Sequence, residues 1–130
     1  MELLKKYQEQ YEEFMKIDSF NLEERTKRIP AEKHFWVCRF IDAKIQRDRL
    51  IKQKSKLKSG IEQKLMTESP VRIDKSYMSK IEDSPTLENI NDKIKEQEYL
   101  IEYLDLVVRQ ITYIAQDVKN MIDIQKLETM

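Results

Sequence analysis

Residues 87–125 read LENINDKIKEQEYLIEYLDLVVRQITYIAQDVKNMIDIQ, and their spacing decides the fold class. Leu87, Ile90, Ile94, Gln97, Ile101, Leu104, Val108, Ile111, Ala115, Val118, Ile122 and Gln125 follow one another in alternating steps of three and four. An α-helix returns every third or fourth residue to one side, so these steps trace one continuous seam. Leu100, Tyr103, Val107, Ile114, Met121 and Ile124 form a second row beside it. So wide an apolar arc needs several neighbouring helices, and a chain of 130 residues holds few. Further copies of the same chain are the nearest source. The pattern therefore predicts a homo-oligomer built on the C-terminal helix. Leu87, Ile90, Ile94, Ile101, Leu104, Val108, Ile111, Val118 and Ile122 are its expected interface.

Asp83-Ser84-Pro85 opens that helix, with the aspartate or serine as cap and the proline in the first turn. Upstream, Ser69-Pro70 reads as a loop and residues 75–82 as a short helix. A long helix is expected from residue 31 to about 67, passing Gly60 because Ile61 and Leu65 stay in phase. Pro30 suits its first turn. Asn21 and Glu24 read as the capping pair of a separate short helix ending near Lys27. Leu4, Tyr7, Tyr11 and Phe14 stripe a first helix over about residues 2–16, which Asp18 and Ser19 end. The expected class is all-α, as one helical domain over residues 1–130. It divides into a helical region over 1–68, a connector over 69–85 and an oligomerisation helix over 86–128.

One glycine, three prolines and 37% charged residues agree with long helices joined by few loops. The lone Cys38 excludes an intrachain disulfide and suits a reducing cytosol. The opening MELLKKYQEQYEEF lacks the apolar core of a secretion signal, and no run approaches the roughly 18 apolar residues of a membrane span. A soluble, cytoplasmic protein is expected. Its zero net charge hides a segregation. Residues 1–24 hold seven acidic and three basic side chains, residues 25–81 six and sixteen, and residues 82–130 eleven and five. A basic middle thus lies between acidic ends.

The densest part of that block is Lys44, Arg47, Arg49, Lys52, Lys54, Lys56 and Lys58, against Asp48 alone. At 100° per residue Ala43, Leu50, Leu57 and Ile61 share a narrow apolar face, with Arg47, Lys54 and Lys58 along one edge. Arg49, Lys52 and Lys56 cluster farther round. Like charges this dense repel one another unless an anion neutralises them, and phosphate backbones do so with release of counterions. The plainer reading is a solvated face paired with the acidic N-terminal helix. Phe35, Trp36 and Phe40 precede the block, and both core packing and stacking on unpaired bases fit them. His34 and Cys38 stand one turn apart, but zinc needs two further ligands and the chain has no other His or Cys. One glycine cannot build a phosphate-cradling loop. No metal, cofactor or enzymatic activity is expected.

The order of several short motifs resembles the UvsY-like recombination mediator family of T-even-type bacteriophages. They are Ile17-Asp18-Ser19 with Leu22, Ile29-Pro30, Phe35-Trp36, the basic run ending in Leu57-Lys58, Lys75-Ser76-Tyr77-Met78, Asp83-Ser84-Pro85 and the tail from Val118 to Leu127. The resemblance spans nearly the whole chain. It implies a homo-oligomeric ring, a hexamer or heptamer, in the cytoplasm of an infected bacterium. Such a ring binds single-stranded DNA and helps a RecA-like recombinase replace the phage single-strand binding protein. The family's Leu-Lys-x-Arg-Leu motif corresponds here to Leu57-Lys58-Ser59-Gly60-Ile61, which carries over Lys58 but puts Gly60 at the arginine. Either Lys56 and Lys64 compensate or the affinity is weaker. A Tyr-Tyr-x-Gly element is also missing. The competing reading is a non-enzymatic helical adaptor whose heptads assemble with a protein partner, and a small enzyme subunit activated by a partner is a third.

Overall fold

The computed structural model describes residues 1–16, 22–68 and 84–129. Among them all regular structure is helical: α1 over Glu2–Lys16, α2 over Leu22–Glu68 and α3 over Pro85–Glu128. The helix expected over 75–82, the Ser69-Pro70 loop and the cap at Asn21 lie outside the described residues. Ser84 begins α3 through its carbonyl, which accepts from the N–H groups of Leu87 and Glu88 at 3.1 and 3.0 Å. Pro85 takes the first helical position, where a missing N–H costs nothing.

α2 is one helix of 47 residues where the sequence suggests two. Pro30 stands inside it rather than at its start. A proline in a helix interior costs about 3 kcal/mol. Ile29 beside it and Trp36 farther along are both buried. Each such burial returns roughly 1.5–3 kcal/mol, enough to carry the helix through the defect. At the other end α2 continues through Gly60, in line with the phase of Ile61.

Contacts divide the chain into two units, Met1–Asp42 with Leu100–Met130, and Ala43–Tyr99. The first unit is built on aromatic rings. Tyr11 and Phe14 of α1 are buried with Ile29 and Trp36 of α2 and Leu100, Leu104, Val107, Ile111 and Val118 of α3. Trp36 meets Tyr7, Tyr11 and Phe35 edge to face, at centroid distances of 5.9, 5.9 and 5.1 Å. The Tyr11 hydroxyl donates to Gln110 Oε1 at 2.7 Å. In the second unit Leu87 and Ile90 are buried, with Leu50, Ile61 and Ile94 packed against them.

The seam of α3 is partly covered within the single chain. Leu87, Ile90, Leu104, Ile111 and Val118 are buried within the single chain, and Ile94, Ile101, Val108 and Ile122 are half-buried. Stretches of α2 take part in both cores, Trp36 in the first and Leu50 with Ile61 in the second. Part of the cover that the seam needs is thus supplied by the chain's own helices.

Burial holds the Tyr11 hydroxyl above its ordinary pKa of 10.0. Tyr103 is raised as well, first by burial and then by the charges of Tyr11 and Glu12. A raised folded-state value favours the neutral phenol. The associated stability is complete below about pH 10 and is lost as pH climbs through the raised value. Tyr11→Phe should cost about 1 kcal/mol at neutral pH through the lost hydrogen bond. It should also lose less additional stability than wild type between about pH 9 and 11. Urea unfolding at both ends of that window checks this, and equal losses would remove Tyr11 as a titrating group.

Candidate nucleic-acid interface

The basic block lies on α2 in the second unit, in a stretch rich in Lys, Arg, Gln, Leu and Ile that favours helix at nearly every position. Its inner side runs Ala43, Arg47, Leu50, Lys54, Lys58, Ile61, all buried or half-buried. From Ala43 to Ile61 is eighteen residues, five turns of a straight helix. The seven-residue series Ala43, Leu50, Leu57 instead drifts by about 20° per repeat. Leu57, expected on the apolar strip, is accordingly left 40% exposed. Arg47, Lys54 and Lys58 border the buried strip, their stems covering apolar surface while their charged ends reach outwards. Arg47 also pairs with the exposed Asp48 at 3.4 Å, an arrangement that contributes little.

Lys44, Arg49, Lys52, Lys56 and Lys64 are exposed. Arg49, Lys52 and Lys56 make no ion pair with any described residue. Steps of three and four place these three in one row, spanning about 10 Å along the axis. This row is a cationic surface without an internal counter-charge. The eight cations named from the sequence thus separate into an outer set and a half-buried set of Arg47, Lys54 and Lys58. Lys58, the residue that the family resemblance singles out, falls in the second.

Gly60 continues the outer row, since Lys52, Lys56, Gly60 and Lys64 follow at four-residue steps. It is exposed, has no positive φ, and a Cβ added there meets nothing within 4 Å. The glycine costs helix stability without a packing return. Gly60→Ala should raise stability by about 0.5–1 kcal/mol, read from the urea midpoint. Gly60→Arg should give a similar gain and add one cation to the row. A fall in stability for both variants would mean that the helix needs flexibility at this point.

Of the aromatic trio, Trp36 is 1% exposed and belongs to the first unit's core, which leaves no face for a base. Phe35 and Phe40 are half-buried, and the Arg39 guanidinium lies 3.8 Å from the Phe35 ring centroid. Cys38 Sγ lies 3.5 Å from His34 Nε2, and among the described residues no group of three His, Cys, Asp or Glu is placed to hold a metal. No described helix is long and apolar enough to cross a membrane.

One exposed surface is only partly anticipated by the second apolar row, which includes Met121 and Ile124. Leu106 and Tyr113 of α3 are 51% and 68% exposed, and Met121, Ile124 and Leu127 are exposed with them. Leu106 and Ile124 stand eighteen residues apart, five full turns, with Tyr113 close to the same line. That spacing was available, but the stronger three-and-four seam masked it. Comparison with protein families, curated proteins and solved structures finds no match for this chain.

Proposed function

We propose that this protein is a non-enzymatic recombination mediator of the UvsY-like kind. It binds single-stranded DNA through the outer face of α2 and works as a homo-oligomeric ring in an infected bacterial cell. There it helps a RecA-like recombinase displace the single-strand binding protein. The observation that carries the reading is the exposed row Arg49, Lys52 and Lys56, which has no ion-pair partner in the described chain. Lys44 and Lys64 extend it, and phosphates are the counter-charge that such a row attracts most strongly. The motif order described above supplies the biological setting.

The exposed face of Leu106, Tyr113, Met121, Ile124 and Leu127 supports association between copies. It also supports the adaptor reading, in which a helix of another protein covers it. Light scattering combined with titration of an oligothymidylate over a range of salt tests the proposal. The expected result is a stable multimer whose DNA affinity falls with salt at a log–log slope of about −0.7 per engaged phosphate. A monomer that ignores DNA at low salt would leave only the adaptor.

A further inference from the structure

Two motifs singled out in the sequence, Ile29-Pro30 and the tail that begins at Val118, play no part in the strand site. The fold brings them together. The start of α2 and the end of α3, both in the first unit, enclose a groove of about 380 Å³. Ile29 and Val118 are buried at its floor, with the half-buried Ala115 and Ile122 and the exposed Pro30 beside them. Its volume falls within the range of about 300–1,000 Å³ found for ligand clefts. Pro30 has no local reason to stand here, since a proline inside a helix costs stability and an exposed one gains little packing in return.

Cations edge this apolar groove. Ala115, Lys119, Ile122 and Lys126 follow at steps of four, three and four, which keeps them within a strip of about 60° on α3. Lys119 and Lys126 are exposed, stand about 10 Å apart along the axis, and make no ion pair with a described residue. Asp123, the one carboxylate among the described lining residues, lies farther round the helix and pairs with neither.

We infer that this groove docks an acidic amphipathic helix of a partner protein. Its apolar stripe lies on Ile29, Val118 and Ile122, and its carboxylates meet Lys119 and Lys126. The apolar lining removes the partner's apolar side chains from water, and the lysines favour an acidic helix over a basic one. Carboxylates seven residues apart on a helix alongside α3 are separated by the same 10 Å or so as the two lysines. A second copy's acidic α1 does not supply this occupant, because Tyr11 and Phe14 of its own stripe are already buried. The docking site is independent of the strand site, which lies in the second unit.

The probes are two fluorescein-labelled helical peptides of about eighteen residues, or five turns. They share one leucine stripe and carry either glutamates or lysines at positions seven apart. Titrated against the full chain and read by anisotropy, the glutamate peptide should bind about tenfold more tightly than the lysine peptide. Lys119→Glu with Lys126→Glu should invert that preference. Ala115→Leu, which fills the groove, should weaken both peptides about tenfold. Neither variant should lower the melting temperature or the affinity for an oligothymidylate. Equal binding of the two peptides by wild type and by the charge-reversed chain would overturn the inference. Peptide binding that survives Ala115→Leu would place the helix elsewhere and overturn it too. If wild type bound neither peptide while the charge-reversed chain gave a smaller particle in light scattering, the groove would be a contact between copies instead. If wild type bound neither peptide while that chain lost oligothymidylate affinity, the two lysines would belong to the strand.

Discussion

Leu104→Asp combined with Ile111→Asp should yield a chain without a cooperative unfolding transition. Both side chains are fully buried in the first unit, whose buried residues also include Leu100, Val107, Tyr11 and Trp36. Truncating a core leucine or isoleucine already costs about 2–5 kcal/mol. A carboxylate placed there adds a further penalty of several kcal/mol, whether it ionises or takes up a proton. Domains of this size are stable by only about 5–15 kcal/mol, so two such changes exceed the margin. Trp36 is the chain's one tryptophan, and its emission should shift to that of a solvated indole. The informative control is Leu106→Asp with Tyr113→Asp, which alters exposed positions of the same helix. That control should keep the far-ultraviolet helix signal and the melting temperature while light scattering reports a smaller particle. A Leu104→Asp, Ile111→Asp chain that melts like wild type but no longer assembles would move the seam back to an interface between copies.

The contrast between these pairs shows how far the sequence carries the fold. Periodicity locates α3 and its seam because a buried face must repeat every three or four residues whatever covers it. It says nothing about the cover. Leu87 and Ile111 read alike whether α2 or a second copy lies against them, and it takes the folded chain to bring Leu50 and Ile61 of α2 against Leu87. The continuity of α2 through Pro30 is also hard to read locally, since a proline is a strong break signal and the burial of Ile29 and Trp36 that overrides it is tertiary. On α2 both the charges and the sides they take are plain. Lys54 and Lys56 are two residues apart, about 200° round the helix, and one borders the core while the other stands in water. Leu57 is what the pattern misplaces, because a seven-residue series drifts by about 20° per repeat on a straight helix. The assignment of Trp36 to core rather than to base stacking likewise needs Tyr7 and Tyr11, which arrive from α1.

Arg49→Ala with Lys52→Ala and Lys56→Ala should nearly abolish binding to single strands at physiological salt. Each cation that neutralises a phosphate contributes about −0.7 to the log–log slope on a single strand. Four engaged cations, Lys44 with these three, give a slope of about −3, and the triple variant should retain only about −0.7. At low salt the affinity should fall by about a hundredfold per chain, and by more in a multimer where several chains hold one strand together. Folding should be untouched, because the three side chains are exposed and make no ion pair with a described residue. Lys54→Ala with Lys58→Ala supplies the comparison. Those two are half-buried beside the apolar strip, so their loss removes stem packing as well as charge. That pair should lower the melting temperature and flatten the slope less than the outer triple does. If Lys54 and Lys58 proved the stronger determinants of the salt slope, the strand would run along the edge of the buried strip instead of the outer row. Equal slopes in wild type and both variants would take the phosphate contacts off this helix altogether.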